Sequence, residues 1–420
     1  MEMTPLSSRS DASTADGDRN SPSAIRHSIS RRTALGALIA GAATIAAPAV
    51  LRRRYKLFAE STAEYSERAI RLVQGTVVVD MLNQFRFPDN ALQPPMSERW
   101  LRQPGAFTEA NWQEYKTSGF RVFGLGGGDN GYEGAVTETS EWNGFVAQYP
   151  DWFMRVSGGA DFDRLKSNGK LGILITMQNA DHFRTADDVN LFWGLGQRAS
   201  QLTYNRTNKL GSGFLAETDT GLTPFGVEII TRMQQVGMAV DLSHAGDRTT
   251  LDALAAATKT VIVSHSAARA VAQGHLRAKT DEMIVKVAKL GGVMGIPMIR
   301  FMVKIDEPVT IENALDHYDH VAKLVGVEHV GIGGDLDLVG NANPVNSALS
   351  KQEVPSNQPN FERYHFHAGP DGKLAVPGLD HPKRTYDLTE GLIRRKYNDA
   401  DIALMLGGNW RRVLSSIWRV

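Results

Sequence analysis

The sequence contains no cysteine, so it cannot form a disulfide bond or hold a metal ion through thiolate sulfur. Any transition metal in this protein must therefore be bound by His, Asp or Glu side chains. The sequence also has no excess of charge of either sign, because 46 Lys and Arg residues balance 46 Asp and Glu residues. This balance gives no indication of a nucleic-acid partner or of an acidic protein partner.

A long, strongly apolar segment is absent as well. Residues 34–50 are apolar but rich in Ala and Gly, and they are too weakly hydrophobic to be predicted as a membrane-spanning helix. They follow the pair Arg31 and Arg32 and end in the small-residue sequence "APA", which is the pattern of a twin-arginine export signal. We therefore predict a periplasmic or otherwise extracytoplasmic protein.

The alternative to an export signal is a chance arginine pair before a weak membrane anchor. Three further arginines at positions 52–54 follow the candidate cleavage site and argue against efficient cleavage there. An uncleaved segment would leave the protein tethered to a membrane. Residues 1–55 are accordingly predicted to hold a disordered stretch and the signal, and residues 56–420 to form one domain.

The rest of the chain has the composition of a soluble globular protein with a large core, since 42% of all residues are hydrophobic and 22% are charged. Strand-like apolar runs alternate with helical patterns such as residues 225–236 and 280–291. After the last run, a long segment at 341–387 rich in Pro, Asn and His is predicted to be a loop, and helices close the chain. The predicted strands are residues 76–82, 119–126, 172–178, 199–205, 237–244, 261–265, 291–298 and 329–337.

Each of these runs is apolar throughout, which is typical of parallel strands buried on both faces. Eight such strands alternating with helices predict an α/β fold of the (β/α)8 TIM barrel type. A doubly wound open sheet is the alternative. It would need a glycine-rich phosphate-binding turn, and "GLGGGDNG" at residues 124–131 lacks the spacing of that motif.

Polar side chains cluster at the carboxyl ends of the predicted strands, which in a barrel form the catalytic face. His244 and His265 end two successive strands, and Asp335 ends the last one. Gln178 ends the third strand. Because neighbouring strand ends lie close together, both imidazoles are predicted to reach one cation. The alternative is that each histidine is only a hydrogen-bonded polar residue at the end of a strand.

Other histidines are weaker candidates for a metal site. His365 and His367 form an H-x-H pair in the long loop, where a solvated loop is the simpler interpretation. His182 lies four residues after the end of the third strand, close enough to serve as a ligand if one expected from that strand is missing. His317 and His320 are spaced by three residues on a predicted helix, and such helices lie away from the catalytic face.

Several motifs, in their order along the chain, resemble the membrane (renal) dipeptidase family. They are "DLSH", "VIVSHSAARAV", "HLRAKTDEMI" and "HVGIGGDLD", and the resemblance extends from about Tyr65 to the C-terminal helices. It implies a (β/α)8 barrel with a two-zinc site that hydrolyses dipeptides. It also implies a substrate with a free carboxylate, and it leaves a homodimer open.

The resemblance assigns roles to individual residues. His244 and His265 match the two histidines that hold one zinc ion. Asp335 matches the aspartate that approaches the other metal and handles the proton. Arg277 matches an arginine that holds the substrate carboxylate. Tyr204 stands where the family has a substrate-contacting histidine, and we expect Tyr204 and the following Asn205 to contact the substrate.

Three positions depart from the family pattern. Leu82 and Gln84 stand in place of the His and Asp ligands of the first strand, and Gln178 replaces a bridging glutamate. Two cations held close together without that carboxylate would repel each other strongly. We therefore expect one Zn2+ per chain on the two histidines, completed by Gln178 or Asp335 and water, and we expect the second site to be lost.

These observations predict a metal-dependent hydrolase that cleaves a dipeptide or a similar small amide with metal-activated water. Two alternatives remain open at this point. One is a single-metal or metal-free hydrolase of another small amide or ester. The other is a non-catalytic protein that retains the small-molecule pocket.

Overall fold

We describe the protein from a computed structural model, which defines residues 53–58, 63–85, 96–127, 131–338, 340 and 373–418. The predicted export segment lies outside the described residues, as do His365 and His367, so the domain boundary at residue 55 stays a prediction. Residues Tyr55–Val420 form one compact unit. Within the described part of the chain, no helix is long and apolar enough to cross a bilayer.

Short strands lie at most of the positions that the apolar runs predicted. Numbered in chain order, they are β1 (Arg54–Tyr55), β2 (Tyr65–Ser66), β3 (Val78–Asn83), β4 (Phe120–Leu125), β5 (Phe153–Arg155), β6 (Leu171–Leu174), β7 (Thr176–Met177), β8 (Ala199–Gln201), β9 (Ala239–Asp241), β10 (Met294–Ile296) and β11 (Val330–Ile332).

The strands from β3 onward form a ring of parallel neighbours. One run has the order β10-β11-β3-β4-β6, with β5 on the outer side of β6, and a second run has the order β7-β8-β9. Only Ile175 separates β6 from β7, so these two are one interrupted strand. Isolated parallel bridges from Asp241 to Ile262 and from Val263 to Met294 connect β9 to β10. The order thus returns to its start after eight positions, and the predicted (β/α)8 barrel is confirmed.

Several strands are shorter than predicted at the end that carries the polar residues. The run at 261–265 joins the ring only through its two bridges, and β9 ends at Asp241 rather than at residue 244. The reason is local hydrogen bonding. The backbone N–H groups of Ser243 and Ser264 donate to Asp241 Oδ1, each at 3.0 Å, so these groups do not continue the ladder.

Helices cover the ring, and the two whose sequences were quoted above are confirmed. The hydroxyl of Thr223 accepts a hydrogen bond from the Gly226 N–H, and Pro224 occupies the first turn, where its missing N–H costs nothing. The helices are Glu67–Gly75, Met96–Arg102, Glu109–Thr117, Gly131–Gln148, Gly159–Asn168, Ala186–Leu195, Pro224–Val236, Asp247–Ala256, Asp281–Lys289, Arg300–Val303, Ile311–Val325, Arg384–Arg394, Asp399–Ala403 and Asn409–Ile417, with a 3-10 turn at Val327–His329 and a π turn at Leu404–Gly408.

Close packing inside the ring brings the site-bearing strands together. The last helix places Trp410 in one apolar cluster with Val79 and Ala239 from the strands, and the Trp410 indole donates to Ile332 O at 3.0 Å. Gly333 has the carbonyl of Ser264 where a Cβ atom would lie. Only glycine permits this approach, so the "GIGGD" segment can pass directly beside the strand that precedes His265.

Candidate metal centre

Two imidazole rings meet at the carboxyl ends of neighbouring barrel positions. His244 follows β9 and His265 follows the bridged residues 262–263, and their Nε2 atoms lie 3.0 Å apart. His244 is 6% exposed and His265 is fully buried. Two nitrogen ligands on one tetrahedral zinc ion, each at about 2.0–2.1 Å, would be separated by roughly 3.3 Å. The pair is therefore spaced closely enough to hold a single cation.

The other ring nitrogens point away from this gap and have their own partners. His244 Nδ1 lies 2.7 Å from Asn205 Oδ1, and His265 Nδ1 lies 2.8 Å from Ser264 Oγ. Since Asn205 presents an acceptor, Nδ1 of His244 carries the ring proton and its Nε2 keeps a lone pair. Hydrogen bonding at the outer nitrogen is the usual support of a metal-binding histidine.

Both histidines are neutral at ordinary pH. Burial lowers the pKa of His244 well below its usual value, and the nearby Arg277 guanidinium lowers it further. The same two causes, in the same order, lower the pKa of His265. A neutral imidazole is the form that binds metals. Two neutral rings whose Nε2 atoms face each other can therefore offer nitrogen lone pairs to one cation.

Asp335 lies beside the pair in an unusual backbone conformation. Its φ angle is +55°, in the left-handed region that few non-glycine residues adopt. The Asp335 N–H donates to Leu82 O at 2.8 Å, and the turn before it is held by Asp80 Oδ1, which accepts from the Gly334 N–H at 2.7 Å. These contacts direct Asp335 Oδ2 to within 3.9 Å of His265 Nε2.

Three neutral side chains, Leu82, Gln84 and Gln178, stand where the family resemblance leads us to expect ionisable ligands. Gln84 donates from Nε2 to Asp335 Oδ1 at 3.1 Å, so a carboxamide occupies the side of Asp335 that faces the first strand. Leu82 is 1% exposed and offers no ligand atom. Gln178 donates from Nε2 to Gly126 O at 2.9 Å. That hydrogen bond holds its amide nitrogen at Gly126, beside the Gln84 amide. A role of Gln178 as a metal ligand, which would use Oε1, stays a prediction.

Within the described residues, no three His, Asp or Glu side chains are arranged together as a metal-ligand group. The structure therefore brings together two of the expected metal ligands, His244 and His265, with Asp335 as the adjacent carboxylate. Their chemistry fits one cation with two protein nitrogens, completed by Asp335, the carboxamide of Gln178, solvent or substrate.

Arg277 lies at the site, where backbone carbonyls hold its guanidinium. Its Nη1 donates to Ser243 O and its Nη2 donates to His265 O at 3.0 Å, so the guanidinium joins the ends of two barrel positions. The side chain is buried, and burial lowers its pKa to about 10. Arg277 thus remains cationic at neutral pH and sets a fixed positive charge beside Asp335.

Tyr204 and Asn205 are placed against His244 rather than free in a pocket. The Tyr204 ring stacks on the His244 ring with centroids 4.3 Å apart. Asn205 holds the outer nitrogen of the same ring, as described above. Both side chains are only partly buried, and both contact the imidazole of His244.

The remaining histidines in the described residues have structural partners. His182 Nε2 lies 3.1 Å from Gln197 Oε1, and its ring packs between Phe183 and Phe192. His317 is fully buried and accepts from the Ala268 N–H at 3.1 Å. Neither side chain replaces a missing ligand at the site.

Motif spacing did not reveal the residues that support the two imidazoles. Ser243 and Ser264 each precede a site histidine, in "DLSH" and "SHS", and Asp241 begins the first of these motifs. The sequence pattern that could have indicated them is a serine directly before histidine at two successive strand ends. The pattern identifies these serines as supports only when it is known which side chains face each other across the barrel, and only the tertiary structure shows this.

Comparison with known proteins identifies relatives of this chain. The family model described as membrane dipeptidase (Peptidase family M19) matches residues 129–347. An uncharacterised dipeptidase of Schizosaccharomyces pombe is 34% identical over 179 residues, which are 41% of this chain and 43% of that protein. The chain spans about half the length of the curated relatives it matches.

Two solved structures share the fold. An amidohydrolase from Pseudomonas aeruginosa is 26% identical, with a TM-score of 0.70 over 83% of this chain and 99% of that chain. A metallopeptidase from Rhodobacter sphaeroides, solved with a phosphinate mimic of the dipeptide L-Ala-D-Ala, is 17% identical, with a TM-score of 0.62 over 82% of this chain and all of that chain. On the family match, which covers more than half of its residues, this chain belongs to the membrane dipeptidase family.

Proposed function

We propose that this protein is a metal-dependent hydrolase that cleaves the amide bond of a dipeptide or of a similar small amide. The approach of two neutral imidazoles to 3.0 Å, with a carboxylate beside them, is the observation that carries the proposal. The family match and the dipeptidase relatives support the reaction class. The dipeptide mimic bound by the Rhodobacter sphaeroides metallopeptidase supports the substrate class.

His244 and His265 would hold one Zn2+ through their Nε2 atoms. When bound, such an ion supplies Lewis acidity and makes water a stronger nucleophile at neutral pH. Asp335 Oδ2 lies on the same side of His265 and can take a proton from the attacking water and return it to the leaving amine. The hydrogen bond from Gln84 to the opposite oxygen, Oδ1, keeps Oδ2 directed toward the histidines.

A second cation is not part of the proposal. The positions that would surround it carry Leu82, Gln84 and Gln178, which bring no negative charge. Without a bridging carboxylate, two dications a few ångströms apart would repel each other in a poorly solvated site. We therefore propose one Zn2+ per chain.

The substrate is proposed to carry a free carboxylate. Arg277 provides the buried positive charge that would attract it, and each of its Nη atoms also donates to a backbone carbonyl. Tyr204 and Asn205 lie on the outer side of His244 and would contact the polar atoms of the substrate. Export by the twin-arginine route, with action outside the cytoplasm, completes the proposal for this protein.

The test is to measure metal content and turnover together. Protein purified from its own compartment should contain one transition metal ion per chain and should hydrolyse members of a panel of dipeptides, N-acyl amino acids and lactones. His265→Ala should lose both properties, whereas His320→Ala, a histidine that pairs with Asp281 on the outer helices, should keep both. Bound metal without turnover of any compound in the panel would instead indicate a non-catalytic binding protein.

A further inference from the structure

Three buried side chains connect β9 to His265 in a continuous line of hydrogen bonds. Ser243 Oγ lies 2.6 Å from Asp241 Oδ1, Ser264 Oγ lies 3.0 Å from Ser243 Oγ, and His265 Nδ1 lies 2.8 Å from Ser264 Oγ. Asp241, Ser243 and Ser264 are at most 4% exposed. Solvent therefore does not compete for these groups.

The direction of every proton in this line follows from the donors available. Asp241 Oδ1 already accepts the backbone N–H groups of Ser243 and Ser264, so it acts as an acceptor for the Ser243 hydroxyl as well. Ser243 has one hydroxyl proton, which it donates in the hydrogen bond to Asp241. Ser243 Oγ must then accept from its other two neighbours, which are the backbone N–H of His265 at 3.1 Å and the Ser264 hydroxyl.

The hydrogen bonds of Ser264 determine which ring nitrogen of His265 carries the proton. Because Ser264 donates its only hydroxyl proton to Ser243, its oxygen can only accept at the contact with His265 Nδ1. Nδ1 must then carry the imidazole proton. In a neutral ring this leaves Nε2 unprotonated, with its lone pair facing His244 across 3.0 Å.

We propose that Asp241, Ser243 and Ser264 form a positioning relay that holds His265 in its Nδ1–H tautomer and so prepares Nε2 to bind a cation. This role rests on the proposed function, because the relay prepares the nitrogen that would bind the proposed cation. In water, neutral imidazole is free to exchange between tautomers, and the form with a proton on Nε2 cannot bind a metal through that atom. A fixed hydrogen-bonded carboxylate behind the ring removes that competing form.

The distribution of polar groups supports a relay with this direction. The acceptor that receives the terminal hydroxyl proton is a carboxylate held by two backbone N–H groups, and it is not a solvent-exposed group that rotates freely. The Nδ1–H of the His265 ring therefore has one hydrogen-bond acceptor, Ser264 Oγ. His244 is held differently, by the single Asn205 amide oxygen at 2.7 Å, so the relay belongs to His265 alone.

The decisive measurement is made on metal-free protein, so that it does not depend on activity. Long-range 1H–15N NMR of protein labelled with 15N-histidine distinguishes the two tautomers of His265. The parent protein should show the Nδ1–H form, and Ser264→Ala should show loss of this form. Ser200→Ala is the matched control, because Ser200 is an equally buried serine on a barrel strand whose hydroxyl bonds backbone carbonyls.

Zinc affinity, measured by chelator competition, gives the second result. Ser264→Ala and Ser243→Ala should each bind Zn2+ about 10- to 100-fold more weakly than the parent, the usual effect of losing a residue behind a metal ligand. Ser264→Thr keeps the hydroxyl and should retain most of the affinity. The Ser200→Ala control should bind as the parent does.

The inference fails if His265 in the parent carries its proton on Nε2, or if Ser264→Ala retains the parent tautomer. If Ser264→Ala does not fold, the parent spectrum and Ser264→Thr still decide the matter. A parent that shows the Nδ1–H tautomer but binds no metal would contradict the proposed function while the relay itself would stand. The two failures are therefore distinguishable.

Discussion

The Nε2 atoms of His244 and His265 face each other at 3.0 Å, with both rings buried and both outer nitrogens occupied by other partners. Two unprotonated nitrogens at this distance repel each other unless a cation lies between them. This relationship joins residues that are 21 positions apart in the chain. It makes the gap between the two Nε2 atoms the place where a cation would bind, and the first prediction follows from it.

Removal of either imidazole should abolish tight metal binding. His244→Ala and His265→Ala each leave one nitrogen ligand, which cannot hold Zn2+ against solvent in this site. The parent should bind one Zn2+ per chain by elemental analysis after dialysis, and each variant should bind none. Two tightly held metal ions per parent chain would contradict the proposal that the second site is lost.

A carboxylate at position 84 should make stability depend on metal. Gln84 Nε2 lies 3.1 Å from Asp335 Oδ1, so Gln84→Glu places two like charges in contact. We expect a lower melting temperature than the parent in EDTA, and an increase when Zn2+ is added, because a cation would neutralise the pair. Differential scanning calorimetry with and without EDTA provides the measurement.

The control for that substitution is Gln113→Glu. Gln113 also donates to a carboxylate, Glu109, at 2.6 Å, but the pair lies exposed on an outer helix. The melting temperature of Gln113→Glu should differ little from that of the parent and should not respond to Zn2+, since solvent screens the two charges. An equal response to Zn2+ in both variants would show that the effect is not specific to the site.

Arg277→Lys separates substrate capture from structural support. If the guanidinium attracts a substrate carboxylate, affinity for free dipeptides should fall about tenfold to a hundredfold, the effect of losing about 1.5–3 kcal/mol. Dipeptides with an amidated C-terminus should lose much less. Calorimetric titration of both ligand sets measures this difference.

Arg269→Lys is the matched control for Arg277. Arg269 lies in the same segment and joins Asp247 with two contacts of 2.6 Å, but it does not border the histidines. It should leave both ligand sets unaffected. An equal loss of affinity for free and amidated dipeptides in Arg277→Lys would assign that residue to supporting the strand ends through Ser243 and His265.

Stability should fall as the pH falls below about 6.5, because several histidines are buried in the neutral form. Burial lowers the pKa of His182 and of His317 from 6.5 to about 4. Below pH 6.5 the unfolded chain binds protons that the folded chain does not, so each such histidine removes roughly 1.4 kcal/mol of unfolding free energy per pH unit until the folded pKa is reached.

Chemical denaturation across this pH range measures the effect. His317→Gln should show a flatter dependence of unfolding free energy on pH than the parent, by about the contribution of one histidine. The exposed substitution Gln113→Glu serves as the control and should leave the slope between pH 6.5 and about 4.5 nearly unchanged. A slope that is identical in His317→Gln and the parent would show that the pKa of this ring is the same in the folded and the unfolded chain.

Export should require the arginine pair. Replacing Arg31 and Arg32 together with lysine keeps the charge but removes the guanidinium groups that characterise the signal. The variant should remain in the cytoplasm on cell fractionation. The double replacement of Arg52 and Arg53 by lysine, beyond the apolar run, should be exported like the parent. Normal export of the first variant would rule out the twin-arginine route.

The barrel and the general position of the site could be predicted without the structure. Uniformly apolar runs alternating with helical patterns imply parallel strands covered on both faces, and such strands direct their carboxyl ends to one side of the ring. His244, His265 and Asp335 therefore had to meet at that side. The strands that were missed, Arg54–Tyr55, Tyr65–Ser66 and Phe153–Arg155, are two or three residues long and lie outside the long apolar runs.

The contacts of the site residues could not be predicted in the same way. Arg277 was expected to hold a substrate carboxylate, and its donation to the carbonyls of Ser243 and His265 was not indicated by the motifs. Gln178 donates from Nε2 to Gly126 O, a contact that the motifs did not indicate. Both side chains follow strands in irregular segments, where the direction of a side chain depends on distant parts of the chain.

By itself, the sequence determined that any metal ligand is His, Asp or Glu, that three positions expected to carry ligands are neutral or apolar, and that the chain forms a parallel barrel. Only the tertiary structure decided that two imidazoles lie 3.0 Å apart, that Gln84 holds Asp335, and that Asp241 reaches His265 through two serines. The reason is physical. Composition and periodicity are local properties, whereas hydrogen-bond partners across a barrel depend on how separate strands are placed beside one another.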